Sequence, residues 1–168
     1  MNGRTALGSR LLAATSGTDS LRHFLRSRFS SRADIITLGV RALVVDQASR
    51  VLLVRHTYRP GWHFPGGGVE RNEAIDAALA RETFEEAGIV ATAPARLFGI
   101  YANFKAYPGD HVVLFIIEHW RQDHVPASNA EIVEQGFFAL DQLPRSLSPG
   151  TARRLEEVFG GVERSEDW

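Results

Sequence analysis

The apolar positions of this chain follow two rhythms. From Ile35 to Val45 they are nearly continuous and β-branched, as in a strand buried on both faces for part of its length. Asp46-Gln47-Ala48-Ser49 is turn chemistry, and Val51–Val54 resumes the apolar run, so the two segments read as a hairpin. Arg55–His63 is a loop punctuated by Pro60-Gly61. The rhythm then changes. Asn72 as N-cap and Gly88 at the far end predict a helix from about Glu73 to Ala87. Ile75, Leu79 and Phe84 lie on more than one of its sides, which suits a helix pressed between layers with an acidic stripe toward a cleft. Arg96–Tyr101 and Val112–Trp120 read as strands joined by the polar loop Ala102–His111, and Gly136–Leu140 as a short strand. Pro149–Phe159 reads as a helix whose apolar stripe is Leu155, Val158 and Phe159. The order β–β–α–β–β–β–α predicts an α/β (α+β) fold, with helices packed against a mixed sheet.

Composition narrows the class. A chain of 168 residues that is 44% hydrophobic can bury one core, so one main domain is expected, over residues 35–160. Residues 1–34 form an N-terminal extension, in part weakly patterned, and 161–168 a C-terminal tail. A short helix is predicted from Asp19, with Leu21, Phe24, Leu25 and Phe29 at helical spacing. A formal net charge of −1 gives no reason to expect nucleic-acid or membrane binding. With no cysteine, disulfides, thiolate catalysis and cysteine zinc sites are excluded. No apolar run approaches the roughly 20 residues of a membrane span. We expect a cytoplasmic protein; the Arg- and Ser-rich residues 1–30 also fit an organellar transit peptide, the less favoured reading.

Chemistry concentrates between Gly67 and Ile89. On the predicted helix, Glu82, Glu85 and Glu86 stand at i, i+3 and i+4, so three carboxylates crowd one face. Like charges at that spacing repel, and a hard divalent cation is the obvious partner for carboxylate oxygens. Glycines at 66, 67 and 68 allow close backbone approach and positive φ.

The set Gly67, Glu73, Arg81, Glu82, Thr83, Glu85, Glu86, Gly88 and Ile89 resembles the signature box of the Nudix hydrolase superfamily. One slot departs from it: Thr83 stands where an aliphatic residue is usual. The resemblance implies an α/β/α sandwich over about residues 35–160. It implies Mg²⁺, with Mn²⁺ as a substitute, held by Glu82, Glu85, Glu86 and the carbonyl of Gly66. Arg81 and Glu73 correspond to the pair that orients the acidic cluster. The implied reaction is hydrolysis of a diphosphate linkage in a nucleoside diphosphate joined to another moiety. Its general base is either Glu82 or a glutamate before the last strand, here Glu131, with Glu134 in reserve. The alternative is a catalytically silent nucleotide-binding module, although such modules usually lose a box glutamate and none is lost here.

Specificity is expected from outside the box, toward a small-molecule nucleotide. Arg55, Arg59, His56 and His63 could meet phosphate oxygens, and of Tyr58, Trp62, Tyr101, Phe104 and Tyr107 the last two are best placed to stack on a base. Each of the first four, taken alone, is more often a solvated loop residue. The signatures of individual subtypes do not choose a substrate, and a homodimer is compatible with the sequence.

Overall fold

The computed structural model describes residues 35–128 and 130–168. The chain divides into two units, Met1–Ile35 and Ile36–Trp168, and every described strand and helix belongs to the second. The helix expected from Asp19 lies outside the described residues. Strands β1 (Thr37–Val44), β2 (Val51–His56) and β3 (Trp62–His63) precede helix α1 (Ile75–Ala87). Then come β4 (Ile89–Ala91), β5 (Arg96–Ala102), β6 (Asp110–Ile117), β7 (Trp120–Gln122), β8 (Ile132–Phe138) and helix α2 (Pro149–Phe159). One sheet runs β1-β6-β5, a second β3-β2-β8, and β4 pairs with β7. No helix among the described residues is long and apolar enough to cross a membrane.

The expected hairpin does not form. β1 takes β6 as its ladder partner, parallel, from Thr37↔Asp110 to Val44↔Ile117. β2 instead lies between β3 and β8, both antiparallel to it. Only an isolated bridge, Val45↔Val51, joins the first two segments across their turn. The turn chemistry is as expected: Asp46 Oδ1 accepts the N–H groups of Ala48 and Arg50 at 2.9 and 2.8 Å.

Strand alternation builds two cores. Val40, Ala42 and Val44 pack with Ala78, Leu79 and Ala87 of α1. Leu43 of the same strand packs with Tyr101, Leu114 and Leu155, the last from α2. A helix therefore covers each side, which explains why β1 reads as a continuous apolar run.

Helix α1 starts later than predicted. Its N-cap is Ala74, which has no capping side chain, while Asn72 adopts a left-handed conformation with φ 64°. Glu73 takes no part in the helix because its carboxylate is used elsewhere, accepting from Glu70 N–H at 2.9 Å and from Arg81. Gly88 closes the helix with φ 66°. Ile75 and Phe84 are exposed, so α1 packs on one face rather than two. Thr83, the departure from the box, is buried, and its hydroxyl donates to Leu79 O at 2.9 Å. The slot thus keeps its packing role with the polar atom satisfied inside the helix.

Helix α2 has the predicted bounds, and Ser148 caps it by accepting from Thr151 N–H at 3.2 Å. Its inward stripe is different. Phe159 is exposed, whereas Arg154 is fully buried. The Arg154 guanidinium sits 4.0 Å from the ring centre of Tyr101 and 5.4 Å from that of Trp168. It donates to Glu157 Oε1 at 2.6 Å and to Asp167 O at 2.9 Å. Glu157 also accepts from the Tyr101 hydroxyl and from Ser165 N–H. Residues 163–168 run beside the outer strand β5: Ala102 N–H donates to Glu166 O, and Trp168 N–H to Ala102 O. A Cβ at Gly150 would come within 2.3 Å of Trp168 Nε1, so that glycine admits the indole. Removing one partner of a buried ion pair strands the other, at a cost of about 3–5 kcal/mol. We therefore expect Arg154→Ala to lower unfolding free energy by about that amount. Urea denaturation checks it, and a loss under about 1 kcal/mol would class the pair with surface salt bridges instead.

Candidate active site

The segment Phe64–Gly68 lies along β1. Ala42 N–H donates to Pro65 O, Val40 N–H to Gly67 O and Val69 N–H to Leu38 O, at 2.9, 2.9 and 2.8 Å. Two of its glycines are required by contact. At Gly66, with φ 137°, a Cβ would lie 2.2 Å from Val40 O. At Gly67 a Cβ would fall 2.3 Å from Glu82 Oε1, in space that the carboxylate occupies.

The box carboxylates divide into three environments. Glu86, in the last turn of α1, is 4% exposed and accepts from Gly66 N–H at 2.8 Å. Burial pushes its carboxyl up to about 8, against the Gly66 hydrogen bond and the Arg41 charge, and with help from Glu82 and Glu131. Glu82 is held by Arg81 Nη1 at 2.7 Å. Glu85 is exposed, with Arg81 Nη1 at 3.5 Å. Arg81 completes the bracket through Glu73, at 2.8 and 2.9 Å, and Gly68 O at 3.1 Å.

Glu131 enters from the opposite side, one residue before β8. The β2–β8 ladder slips between Arg55 and His56, so Arg55 faces Glu134 but His56 faces Ile132. Thr57 ties down the segment beyond the slip, donating through N–H to Glu131 O and through its hydroxyl to Ala130 O, at 2.9 and 2.8 Å. The Tyr58 hydroxyl donates to Glu131 Oε1 at 2.9 Å. Burial, then that hydrogen bond, pushes the Tyr58 phenol up to about 12. One ligand atom each from His56, Glu86 and Glu131 lie within 4.8 Å of one another. Burial first, then the charges of His63, Arg41 and Arg59, pulls His56 down to about 4, leaving the ring neutral at pH 7.

The remaining sequence candidates scatter. Glu134 lies within β8, not in a loop, and pairs with Arg55 at 2.8 Å. That pairing commits Arg55 to the strand's neighbour and to the Trp62 ring, 5.9 Å away. Arg59 stands over Tyr58, its guanidinium carbon 5.4 Å from the ring centre. His63 lies 5.5 Å from His56 ring to ring, with Nε2 3.0 Å from Pro60 O, and burial lowers its pKa. Phe104 packs edge-on against His111, and Tyr107 is exposed in the turn before β6. The structure thus brings Arg59 to Tyr58 and His63 to His56, the neighbours of Glu131 and Glu86, and leaves Arg55, Phe104 and Tyr107 with other contacts.

Arg41 has no counterpart in the sequence reading, and two candidates take other roles: His56, expected at phosphate, faces Glu86, and Tyr58, expected to stack, bonds Glu131. Arg41 is half-buried in β1, donates to Val40 O at 2.7 Å, and feels the charges of Glu86, Arg59 and Glu82. Burial lowers its pKa. A single cation inside an otherwise apolar strand was the available signal. Together the groups set the guanidinium of Arg41 among the charges of Glu86, Glu82 and Arg59, which suits an anionic substrate bound through a cation.

Comparison with known proteins agrees with this geometry. The NUDIX domain model matches residues 36–158. The chain is 26% identical over 127 residues to a putative 8-oxo-dGTP diphosphatase of Bacillus subtilis, covering 76% of this chain and 83% of that protein. It is 32% identical to an NAD-capped RNA hydrolase of Citrobacter koseri, over 74% of this chain but 48% of that protein. Among solved structures, a MutT NUDIX hydrolase from Burkholderia pseudomallei superposes with a TM-score of 0.62 at 30% identity, over 74% of this chain and 99% of that one. The mixed-sheet sandwich between two helices, expected from the resemblance, is the fold observed. With the model matching most of its length, this chain belongs to the NUDIX domain family.

Proposed function

We propose that this protein hydrolyses a diphosphate linkage in a nucleoside diphosphate joined to another moiety, with a divalent cation, Mg²⁺ or Mn²⁺, as cofactor. The observation that carries the reading is the meeting of buried Glu86 with Glu131 across the cleft. The donor set fits a hard cation: carboxylate oxygens predominate, and Glu86 is a buried carboxyl whose protonation a cation would displace. Glu82, Glu85, Glu86 and the Gly66 carbonyl would hold it. Bound there, a cation supplies charge neutralisation on the diphosphate and a more acidic water.

The chain's own residues do the rest. Arg81, anchored on Glu73, fixes Glu82 against Gly67. Glu131 takes the proton from the water that attacks phosphorus in line, and the phosphoanhydride bond breaks. We favour Glu131 over Glu82 as the base because Glu82 is pinned by the Arg81 guanidinium against Gly67, whereas Glu131 stands beside buried Glu86. Arg41 and Arg59 supply the positive charge that orients the phosphates, and His63, held neutral by burial, can offer them a hydrogen bond. The relatives differ in the nucleotide their names give, so the leaving moiety is set by loops rather than by the box.

A panel of nucleoside diphosphate sugars, dinucleoside polyphosphates and nucleoside triphosphates, with the phosphorylated products separated by chromatography, tests the reading. Turnover of at least one compound with Mg²⁺, abolished by EDTA and restored by Mg²⁺, is expected; nucleotide binding without turnover would refute it. On the active compound, Glu131→Gln should lower kcat by roughly 10²-fold or more with KM little changed. Unchanged kcat would move the base to Glu82.

The bracket that holds Glu82 has its own pH signature. The hydrogen bond from Arg81 pulls the Glu73 carboxyl down to about 2, whereas in an unfolded chain it titrates at ~4.3. Its contribution to stability is therefore present above about pH 4.3 and is lost as pH falls toward about 2. Glu73→Gln should make the acid limb of the stability profile shallower across that window. A parallel profile, offset but equally steep, would mean that Glu73 is not linked to folding.

A further inference from the structure

The box residues and Glu131 account for the carboxylates of the site, but not for the histidine among them. His56 is 5% exposed and occupies the last position of β2, where the ladder with β8 slips. Its Nε2 points at Glu86 and stops 3.7 Å from Oε1, too far for a hydrogen bond. Its Nδ1 is buried with no hydrogen-bond partner. No hydrogen bond closes the gap between Nε2 and Glu86, and two buried groups that face each other at this distance call for a partner between them. The rings of Tyr58 and His63, at 5.2 and 5.5 Å, wedge it in place from two sides. Two bonds of about 2.1 Å to one shared ion span a gap of this size.

We propose that His56 is a direct ligand of the metal ion held by Glu86, with Glu131 beside them as the base, so that this centre binds Mn²⁺ and later first-row ions in preference to Mg²⁺. The inference rests on the metal-dependent reading of the site. Its physical content is the nitrogen: carboxylates alone suit Mg²⁺, Ca²⁺ and Mn²⁺, whereas imidazole adds affinity along the first transition row. The slip in the ladder is what makes the mixed set available. It seats an imidazole from β2 and a carboxylate from the start of β8 beside a carboxylate from α1.

Pulsed EPR of Mn²⁺ added to the full chain tests the proposal without relying on turnover. Wild type and His63→Gln should both show nitrogen coupling from a directly bound imidazole, and His56→Gln should lack it. Mn²⁺ affinity, read from the free-ion signal, should fall roughly tenfold or more in His56→Gln, with Mg²⁺ affinity by competition little changed. If the His56 variant does not fold, the wild-type and His63→Gln spectra decide alone. Mn²⁺ bound without nitrogen coupling in wild type sinks the His56 assignment and leaves the metal-dependent reading standing. So does coupling that survives His56→Gln or disappears in His63→Gln. Absence of any Mn²⁺ binding to wild type overturns both.

Discussion

A carboxyl group held out of water is the constraint on which this site is built. Glu86 lies in the last turn of α1, 4% exposed, and burial strongly disfavours its ionised form. What keeps it there is geometric. Gly66 N–H donates to it, and Gly66 can do so only because it lacks a Cβ that would collide with Val40 O. β1, the glycine segment and α1 are thereby locked in one arrangement. At the helix end the backbone is secured as well. Gln122 donates to Ala87 O at 2.7 Å and Gly88 N–H to Phe84 O at 2.8 Å.

The same helix must carry two more glutamates one turn apart, and repulsion at that spacing would fray an isolated helix. The fold separates them by environment. Glu82 is neutralised by Arg81, which is itself steadied by Glu73 and a backbone carbonyl. Glu85 is left to solvent, where water screens it. Glu86 is the one held in the interior, and its shifted protonation reflects that. This graded arrangement explains why Arg81 precedes Glu82 in sequence: one guanidinium serves carboxylates from the loop and from its own helix.

How far the fold is legible in the sequence depends on whether a feature is local. The bounds of α2, the Gly88 terminus and the Asp46 turn follow from short-range chemistry and read directly from the residues. The partner of β1 does not, because pairing with β6 spans most of the domain and β-branched runs are equally suited to a hairpin. Asn72 misleads because the turn that carries it serves Glu73, whose bond to Arg81 fixes the chain outside the helix. Arg154 is hidden for a related reason. Glu157 is three residues along the same helix, but Asp167 O and the ring partners Tyr101 and Trp168 come from other segments, and a cation on a helix ordinarily faces water. The roles of His56 and Tyr58 depend on the register slip, which has no sequence signal, whereas Arg41 is marked only as a lone cation in an apolar strand.

The two cores divide the work of the molecule. On the side of α2, Arg154 and the last residues close the outer strand β5, so that face is given to stability. On the side of α1, the short stretch from His56 to His63 touches nearly everything that defines the cleft. His56 approaches Glu86, Thr57 and Tyr58 hold Glu131, and Arg59 supplies positive charge nearby. Its far end is anchored by Trp62 N–H to Ser146 O at 2.8 Å, with the indole packed against Phe138. A change in this segment that alters what the cleft accepts must also shift the carboxylate assigned as the base. Specificity and turnover are therefore mechanically joined in this protein, through one loop suspended between a strand slip and a buried tryptophan.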